Sequence, residues 1–277
     1  MVKRVQQDPI GSLLLHRITS RSLEAFYDRL QERGLSPTTA HHYHRFLHKT
    51  LRDAERQELI RQNPAHLAEG PRRIHSRPDL WSESQVHLFL SETREHSPYY
   101  PLYLFLAATG CRLGEALALR WSEVNLKEAE VTIRSSLVRP QGGGYILKGP
   151  KTRGSERCIG LPKEVVEVLR QARRERIDTE FVFSRRDGVP VHASNLRRRD
   201  LQPLCQRLGL PWHRALHNLR HFHASFLLQQ GANVKAVSER LGHSTAALTL
   251  SVYAHVLRRK DQTTDLISEF LAEKKSQ

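Results

Sequence analysis

The sequence contains few cysteines and no long apolar run. Cys111, Cys158 and Cys205 lie far apart among 277 residues and form no Cys-x-x-Cys pair. This spacing argues against a disulfide framework and a cysteine-ligated zinc site, and it favours a reducing, cytoplasmic environment. The N-terminal region contains only the short run "LLL" at 13–15, so we expect no signal peptide, and no stretch is long enough for a membrane span. The sequence therefore predicts a cytoplasmic protein that does not enter a membrane.

Acidic residues are too few to balance the basic ones. The chain has 44 Lys and Arg against 29 Asp and Glu, which gives a formal net charge of +15. Basic residues are in surplus both before and after residue 76, so the charge is not confined to a tail. A basic surface can serve solubility alone, but a surplus of this size favours a polyanionic partner, with nucleic acid as the leading candidate.

The first part of the chain has the periodicity of helices. One buried stripe follows the i, i+3, i+4, i+7 spacing: Leu23, Phe26, Tyr27 and Leu30. Gly34 ends this predicted helix. Ser36 is then placed as the N-cap of a second helix, with Pro37 at the first helical position, where its missing N–H costs nothing.

The second predicted helix has an apolar side and a basic side. Its apolar stripe consists of Ala40, Tyr43, Leu47, Leu51 and Ala54. Its other faces carry His41, His42, Arg45, Lys49 and Arg52. These basic residues fit either a solvated surface or a helix lying on a phosphate backbone, and the helix alone does not decide between the two.

The segment "GPRRIHSRPDL" at 70–80 separates two helical regions. Its prolines, glycine and arginines are typical of a basic linker, and we place a domain boundary there, between residues 1–76 and 77–277. The second domain begins with a capping box formed by Ser82 and Gln85. The period changes to two in "EVTIRSSLV", "GYILKG" and "RCIGLP", which predict three strands. The predicted fold class is therefore mainly α with a small antiparallel β-sheet.

The stretch "HNLRHFHASF" at 217–226 contains three histidines and an arginine but no carboxylate. His217 and His221 lie one helical turn apart, a spacing that can serve zinc, but Asn218 stands where the metalloprotease motif has glutamate. A buried polar cluster is the second interpretation. Arg220, however, has no nearby carboxylate in sequence, and burying an unpaired guanidinium is costly. This favours a cradle for an anion such as phosphate, which guanidinium binds in a bidentate manner.

Two longer segments carry a family resemblance. "ATGCRLGEALALRW" and "HNLRHFHASFLLQQGANVKAVSERLGHSTAALTLSVYAHV" resemble the two signatures of the tyrosine recombinases, the phage integrase family. The second combines H-x-x-R-H, L-G-H and a tyrosine ten residues after that last histidine. With "SPTTAHHYHRFLHKTLRDAERQELIRQNPA", the resemblance covers about residues 10–260. It implies an N-terminal helical core-site DNA-binding (SAM-like) domain, shorter than usual before "LHRITSRSLEAFY", and a C-terminal catalytic domain.

The resemblance implies six catalytic residues: Arg112, Lys151, His217, Arg220, His243 and Tyr253. In this assignment the two arginines clamp the phosphate, and His243 donates a further hydrogen bond to it. Glu115 matches an acidic position that steadies the site.

The same assignment supplies the chemistry of strand cleavage. Tyr253 is the nucleophile, His217 accepts its proton, and Lys151 protonates the departing 5′ oxygen. Lys148 competes with Lys151 for this last role. The implied function is site-specific DNA recombination through a 3′-phosphotyrosine intermediate and a Holliday junction, without a metal or another cofactor.

The implied partner is double-stranded DNA, bound by a monomer that assembles into a homotetramer on DNA. A C-terminal exchange helix at about 260–273 would link the subunits through one apolar stripe: Leu266, Ile267, Phe270 and Leu271. Accessory DNA-bending or directionality proteins belong to the same expectation. The alternatives are a catalytically silent DNA-binding relative and a type IB topoisomerase that relaxes DNA.

Overall fold

A computed structural model gives the fold of the chain. It describes residues 1–72, 80–140, 143–149, 156–175, 179–254 and residue 268. The chain divides into two compact units, Met1–Pro78 and Asp79–Gln277. The boundary that we place after residue 76 stays a prediction, because residues 73–79 lie outside the described part.

The first unit is built from helices packed around one apolar core. Its helices are α1 (Val2–Gln6), α2 (Ser20–Glu32) and α3 (Pro37–Arg56). The predicted start of α3 is confirmed: Ser36 Oγ accepts a hydrogen bond from the backbone N–H of Thr39 over 3.2 Å, and Pro37 follows as the first helical residue. The predicted apolar stripes of α2 and α3 are both buried in this core.

A buried acidic residue ties the start of the chain to α2. The carboxylate of Asp8 accepts hydrogen bonds from Arg29 at 2.6 Å and 3.1 Å, and Arg33 lies 3.7 Å away. Although burial opposes ionisation of Asp8, its bonds to Arg29 hold the pKa of that carboxyl below its ordinary value.

The basic side chains of α3 fall into two groups. One stripe faces solvent, at the spacing i, i+3, i+7, i+10: His42, Arg45, Lys49 and Arg52. Other histidines on the helix turn inward. His41 hydrogen-bonds through Nδ1 to the carbonyl of Pro71 over 3.0 Å, and His44 bonds to the Tyr27 hydroxyl over 3.1 Å. The basic side chains of α3 thus divide into an exposed stripe and a packed group.

The second unit is also mainly helical. Its helices are α4 (Glu83–His96), α5 (Tyr100–Thr109), α6 (Leu113–Ala118), α7 (Lys163–Glu175), α8 (Ala193–Leu196), α9 (Gln202–Arg207), α10 (Ala215–Gln229), α11 (Val234–Leu241) and α12 (Ala246–Tyr253). The capping box predicted at Ser82 and Gln85 is present at the start of α4. Within the described residues, no helix has the length and hydropathy needed to cross a membrane.

The strands form two small antiparallel sheets. The strands are β1 (Val124–Asn125), β2 (Glu130–Ile133), β3 (Ser136–Val138), β4 (Ile146–Lys148) and β5 (Arg157–Gly160). β2 lies between β1 and β5, whereas β3 and β4 form a separate two-stranded sheet within the described part of the chain. The single strand predicted for "EVTIRSSLV" is therefore wrong, because the chain leaves the first sheet after Ile133 and pairs anew from Ser136.

The apolar helix α5 lies at the centre of the second core. Leu102, Tyr103, Phe105 and Leu106 are each at most 1% exposed, so the helix is enclosed on several sides. Gly110 ends α5 in the left-handed conformation, with φ of +64°. The backbone that follows Gly110 leads directly into α6, and this turn carries the first of the site residues.

Candidate active site

Arg112 stands at the N-cap of α6 and is fixed there by Glu115. The backbone N–H of Arg112 donates to Glu115 Oε2 over 2.8 Å, and its Nη1 donates to Oε1 over 2.9 Å. The carboxylate is nearly buried, whereas the Arg112 side chain is 48% exposed. One carboxylate therefore holds both the backbone and the guanidinium of Arg112 while leaving that guanidinium open to a ligand.

A second arginine supports the same carboxylate from the sheet. Arg157 on β5 donates from Nη2 to Glu115 Oε2 over 2.8 Å and from Nε to the carbonyl of Arg240 over 2.7 Å. Its side chain is only 8% exposed. Burial alone would favour the neutral acid, but the hydrogen bond and charge of Arg157 hold the pKa of Glu115 below its ordinary value. The ionised Glu115 thus joins α6 to β5, and Arg157 in turn joins β5 to the end of α11.

Arg220 on α10 is the most deeply buried cation of the site, at 4% exposure. Its Nη1 donates to the carbonyl of Gly110 over 2.7 Å. Burial and, after it, the positive charge of Arg112 lower the pKa of Arg220 to about 10, so the group stays protonated at neutral pH. A guanidinium has five N–H donors, and this one keeps donors for the oxygens of an anion. Two adjacent guanidinium groups, one buried and one exposed, favour a ligand that carries negative charge.

His223 on α10 is buried between α5 and α11, and its ring is not available to a ligand. Its Nδ1 hydrogen-bonds to the carbonyl of Ala107 over 3.0 Å, and Nε2 accepts a hydrogen bond from Nε of Arg240 over 3.0 Å. Both ring nitrogens are therefore occupied within the protein. Burial, followed by the charge of Arg240, lowers the pKa of His223 to about 4. The described residues contain no group of three or more His, Cys, Asp or Glu side chains placed to hold a metal ion.

The turn after α11 places His243 beside the arginines. Gly242 adopts φ of +66°, and its carbonyl accepts a hydrogen bond from Nη2 of Arg112 over 3.3 Å. Nδ1 of His243 lies 2.8 Å from Oγ1 of the buried Thr249 on α12. Burial and then the charge of Arg220 lower the pKa of His243 to about 4, so its imidazole is neutral at pH 7.

Tyr253 ends α12 with its side chain inside the protein. It is 1% exposed and packs in an apolar cluster whose other members include Leu228, Val237 and Leu241. Its hydroxyl lies 2.7 Å from Nδ1 of His221. Burial raises the pKa of Tyr253 to about 12, although the charge of Arg220 acts in the opposite direction.

The imidazole of His221 also contacts His217 one helical turn earlier. The two ring centroids lie 4.5 Å apart in a T-shaped arrangement. His217 is exposed, and His221 is half-buried between His217 and Tyr253. An imidazole pair thus connects the tyrosine hydroxyl with the surface of the site.

Five of the six residues predicted from the sequence lie in this one region: Arg112, His217, Arg220, His243 and Tyr253. The sixth, Lys151, lies outside the described residues. Lys148 is exposed at the end of β4, where it pairs with Ser136 in the antiparallel register. The choice between the two lysines therefore stays a prediction.

Three residues of the site have structural roles that the sequence analysis did not assign. Arg157 braces Glu115, Arg240 fixes His223, and His221 bonds to Tyr253. The alternation of β5 offered a signal for Arg157, because residues 157 and 159 share one face and Ile159 is fully buried. The sequence offers no comparable signal for Arg240, whose ring partner is 17 residues away on another helix.

Taken together, the side chains can bind a phosphate and attack it. The guanidinium groups of Arg112 and Arg220 lie close enough to affect each other's charge, and the imidazole of His221 contacts the buried Tyr253 hydroxyl. Hydrogen bonds to the backbone and to Thr249 fix Arg112, Arg220 and His243 before any ligand arrives. Such preorganised donors stabilise the charge that develops on a phosphoryl group in its transition state.

Solved structures and curated proteins resemble the chain over most of its length. It superimposes on the Tn1549 transposon integrase, solved with a circular intermediate DNA, with a TM-score of 0.83 and 23% identity over 97% of this chain and 90% of that one. It is 25% identical over 284 residues to "Tyrosine recombinase XerC-like" of Caldanaerobacter subterraneus subsp. tengcongensis, covering 92% of this chain and 72% of that protein. The ICEBs1 integrase of Bacillus subtilis is also 25% identical, with 90% and 70% coverage.

Two family models match the sequence itself. The model of the phage integrase SAM-like domain matches residues 3–70, which extends the likeness upstream of the residue 10 at which the sequence motifs begin. The model of the phage integrase family matches residues 82–260, a range that includes every described residue of the site. Since this second match spans more than half of the chain, the protein belongs to the phage integrase family, the tyrosine recombinases.

Proposed function

We propose that this tyrosine recombinase cleaves DNA by attack of Tyr253 on a phosphodiester held between Arg112 and Arg220. The observation that carries the proposal is the convergence of a buried, hydrogen-bonded tyrosine and the buried guanidinium of Arg220, for which the described residues provide a backbone carbonyl but no ion pair with a carboxylate. The sequence-based roles of the site residues belong to this proposal.

The phosphate is bound by charge and by fixed hydrogen bonds. Arg220 reaches it from the interior and Arg112 from the exposed side, so that the two guanidinium groups bind nonbridging oxygens and offset charge in the pentavalent transition state. The Thr249 hydroxyl can donate to Nδ1 of His243, which leaves the Nε2–H of that ring to donate to the phosphate. Because Glu115 braces Arg112, the clamp keeps its geometry without the substrate.

The nucleophile needs a proton acceptor. With a pKa of about 12, Tyr253 is ionised in only about one molecule in 10⁵ at pH 7. The family resemblance assigns the acceptance of this proton to His217, and the His221 ring lies between His217 and the Tyr253 hydroxyl. Lys151 protonates the departing 5′ oxygen, which is the role the family resemblance implies for it.

The covalent product conserves the energy of the broken bond. Cleavage exchanges a phosphodiester for a 3′-phosphotyrosine and a free 5′-hydroxyl. Attack by a 5′-hydroxyl on that intermediate reverses the step, on the same strand or on a partner strand. Exchange between partners through a Holliday junction then yields recombination with no nucleotide cofactor.

Several features support double-stranded DNA as the partner. The Tn1549 integrase, which shares the fold, was solved with a circular intermediate DNA. The net charge of +15 favours a polyanion, and the exposed basic stripe of α3 has the spacing of one helical face. We assign that stripe to the DNA backbone. Cytoplasmic location, supported by cysteine usage and by this substrate, is part of the same proposal.

Assembly on DNA is a further part of the proposal. A monomer in solution would become a homotetramer on two duplexes, with each C-terminal segment docking on a neighbouring subunit. The support is the family resemblance and the apolar stripe at 266–271, which lies largely outside the described residues. Accessory DNA-bending or directionality proteins would act on this assembly.

The test uses duplexes that are first enriched for binding from a randomised pool and are then nicked near the centre. A nick lets the short cleaved fragment diffuse away, so that a covalent protein–DNA adduct accumulates. We expect the adduct from the wild type. Binding without any adduct would favour the catalytically silent relative, and relaxation of supercoiled plasmid without strand exchange would favour the topoisomerase.

A further inference from the structure

A hydrogen bond between α10 and α12 shows which imidazole of the pair contacts the Tyr253 hydroxyl. The Tyr253 hydroxyl lies 2.7 Å from Nδ1 of His221, and the two ring centroids are 5.5 Å apart. His217 contacts the ring of His221, and no contact between His217 and Tyr253 occurs among the described residues. Among the described residues, His221 is thus the imidazole in direct contact with the reacting oxygen.

The geometry also indicates where the protons lie. A buried phenol needs an acceptor for its proton, and Nδ1 of His221 is the atom within reach. The neutral ring then carries its own proton on Nε2. In this arrangement the tyrosine proton already points at the atom that can receive it.

We propose that His221, rather than His217, is the catalytic residue that takes the proton of Tyr253 during strand cleavage. This inference rests on the proposed function of the site. As an electron pair of the tyrosine oxygen forms the O–P bond, the phenolic proton moves to Nδ1. The P–O5′ bond breaks, and its electron pair stays on O5′, which is protonated by the general acid assigned to Lys151.

The charges around His221 make this transfer depend on the substrate. The groups that face the ring are His217 and Arg220 on α10, Arg214 before it, His243 after α11, and Tyr253 on α12. Burial and, after it, His217, Arg220, Arg214 and His243 lower the pKa of His221 to about 4 in the free protein. A bound phosphodiester adds negative charge beside the arginines and opposes their effect. His221 therefore becomes a stronger base once DNA occupies the cradle.

The decisive variant keeps the hydrogen bond and removes the base. In His221→Asn, the amide oxygen can occupy the place of Nδ1 and accept from Tyr253, but it cannot hold a proton at the working pH. We expect single-turnover adduct formation to fall by about 10²–10⁴-fold, with DNA binding unchanged. His87→Asn, which changes an exposed histidine on α4, is the control and should cleave like the wild type.

Two further measurements separate a proton acceptor from a structural contact. The rate of His221→Asn should keep rising with pH, because hydroxide must then remove the proton, and added imidazole should partly restore His221→Ala. A 5′-bridging phosphorothiolate, whose sulfur leaves without a proton, should rescue Lys151→Ala but not His221→Asn.

Opposite results would overturn the inference. His221→Asn cleaving as fast as the wild type would make the contact one of positioning, and faster cleavage would make it a restraint on the tyrosine. Imidazole rescue of His217→Ala but not of His221→Ala would return the role to His217. These comparisons all use a wild type that forms the adduct, whereas failure of the proposed function would leave the wild type itself without one.

Discussion

The guanidinium of Arg220 donates a hydrogen bond to the carbonyl of Gly110 over 2.7 Å. This bond joins the two signature segments of the chain, 110 residues apart in sequence. Gly110 ends α5, and Arg112 follows two residues later, so the bond constrains the distance between the two arginines of the proposed phosphate clamp. The turn at Gly110 is therefore part of the proposed clamp, although it contributes no side chain.

Gly110→Ala should damage both stability and cleavage. The φ of +64° costs an alanine about 1–2 kcal/mol. Its Cβ would also lie 2.6 Å from Cδ2 of His223 and 2.9 Å from Leu241, an overlap that adds about 1–3 kcal/mol. Gly209→Ala is the matched control, since its φ is +65° and no atom lies within 4 Å of the added methyl. Urea unfolding of both variants measures the difference, and equal losses would refute the packing argument.

Arg157→Gln should be far more destabilising than loss of an exposed ion pair. The change removes a buried partner of Glu115 and the bond to the carbonyl of Arg240, so we expect a loss of about 3–5 kcal/mol in the free energy of unfolding. Arg134→Gln breaks the exposed pair with Glu156 and should cost less than about 1 kcal/mol. Denaturant titration compares the two. A small effect at Arg157 would mean that Glu115 does not depend on it.

The exposed stripe of α3 should contribute to DNA affinity through counterion release. Replacing Arg45 and Arg52 by alanine removes two proposed phosphate contacts. The negative slope of log K against log salt should then become shallower by about 2. Lys3→Ala with Arg21→Ala removes the same charge elsewhere in the first unit and serves as control. Equal slopes for the two double variants would show that only net charge matters and that the stripe does not touch DNA.

Truncation after Lys260 should separate cleavage from recombination. If the apolar stripe at 266–271 docks on a neighbouring subunit, the truncated protein still cleaves a single nicked site but fails to recombine two sites. The assay compares adduct yield with two-site recombination at the same protein concentration. Unchanged recombination would mean that the segment packs on its own subunit.

Local sequence signals predicted much of the fold. The cap at Ser36 with Pro37 and the capping box of Ser82 with Gln85 depend on residues within one helical turn, and both are present. The division of residues 130–138 into two strands was missed. It depends on pairing with β4 and β5, which lie downstream and are not encoded in the alternation of that segment itself.

The site was predictable where a motif fixes the spacing, and only there. The residues carried over from the two signatures lie together where the structure describes them, because α6 and α10 pack against α5, and α11 packs against both α10 and α12. His221 was visible in the motif, but its bond to Tyr253 depends on how α12 packs against α10. The pair of His223 and Arg240 likewise arises from tertiary packing, which no local pattern specifies.

The identity of the nucleophile is tested most directly by locating the covalent bond to DNA. Adduct formed on a nicked duplex in excess EDTA, without nucleotide, is digested with nuclease and protease, and the peptide that carries the nucleotide remnant is identified by mass spectrometry. We expect the remnant on Tyr253, and no adduct from Tyr253→Phe despite nearly unchanged DNA affinity. Tyr145→Phe, which alters an exposed tyrosine, should form a normal adduct. An adduct that survives in Tyr253→Phe, or one that forms only when magnesium is supplied, would contradict the proposed function.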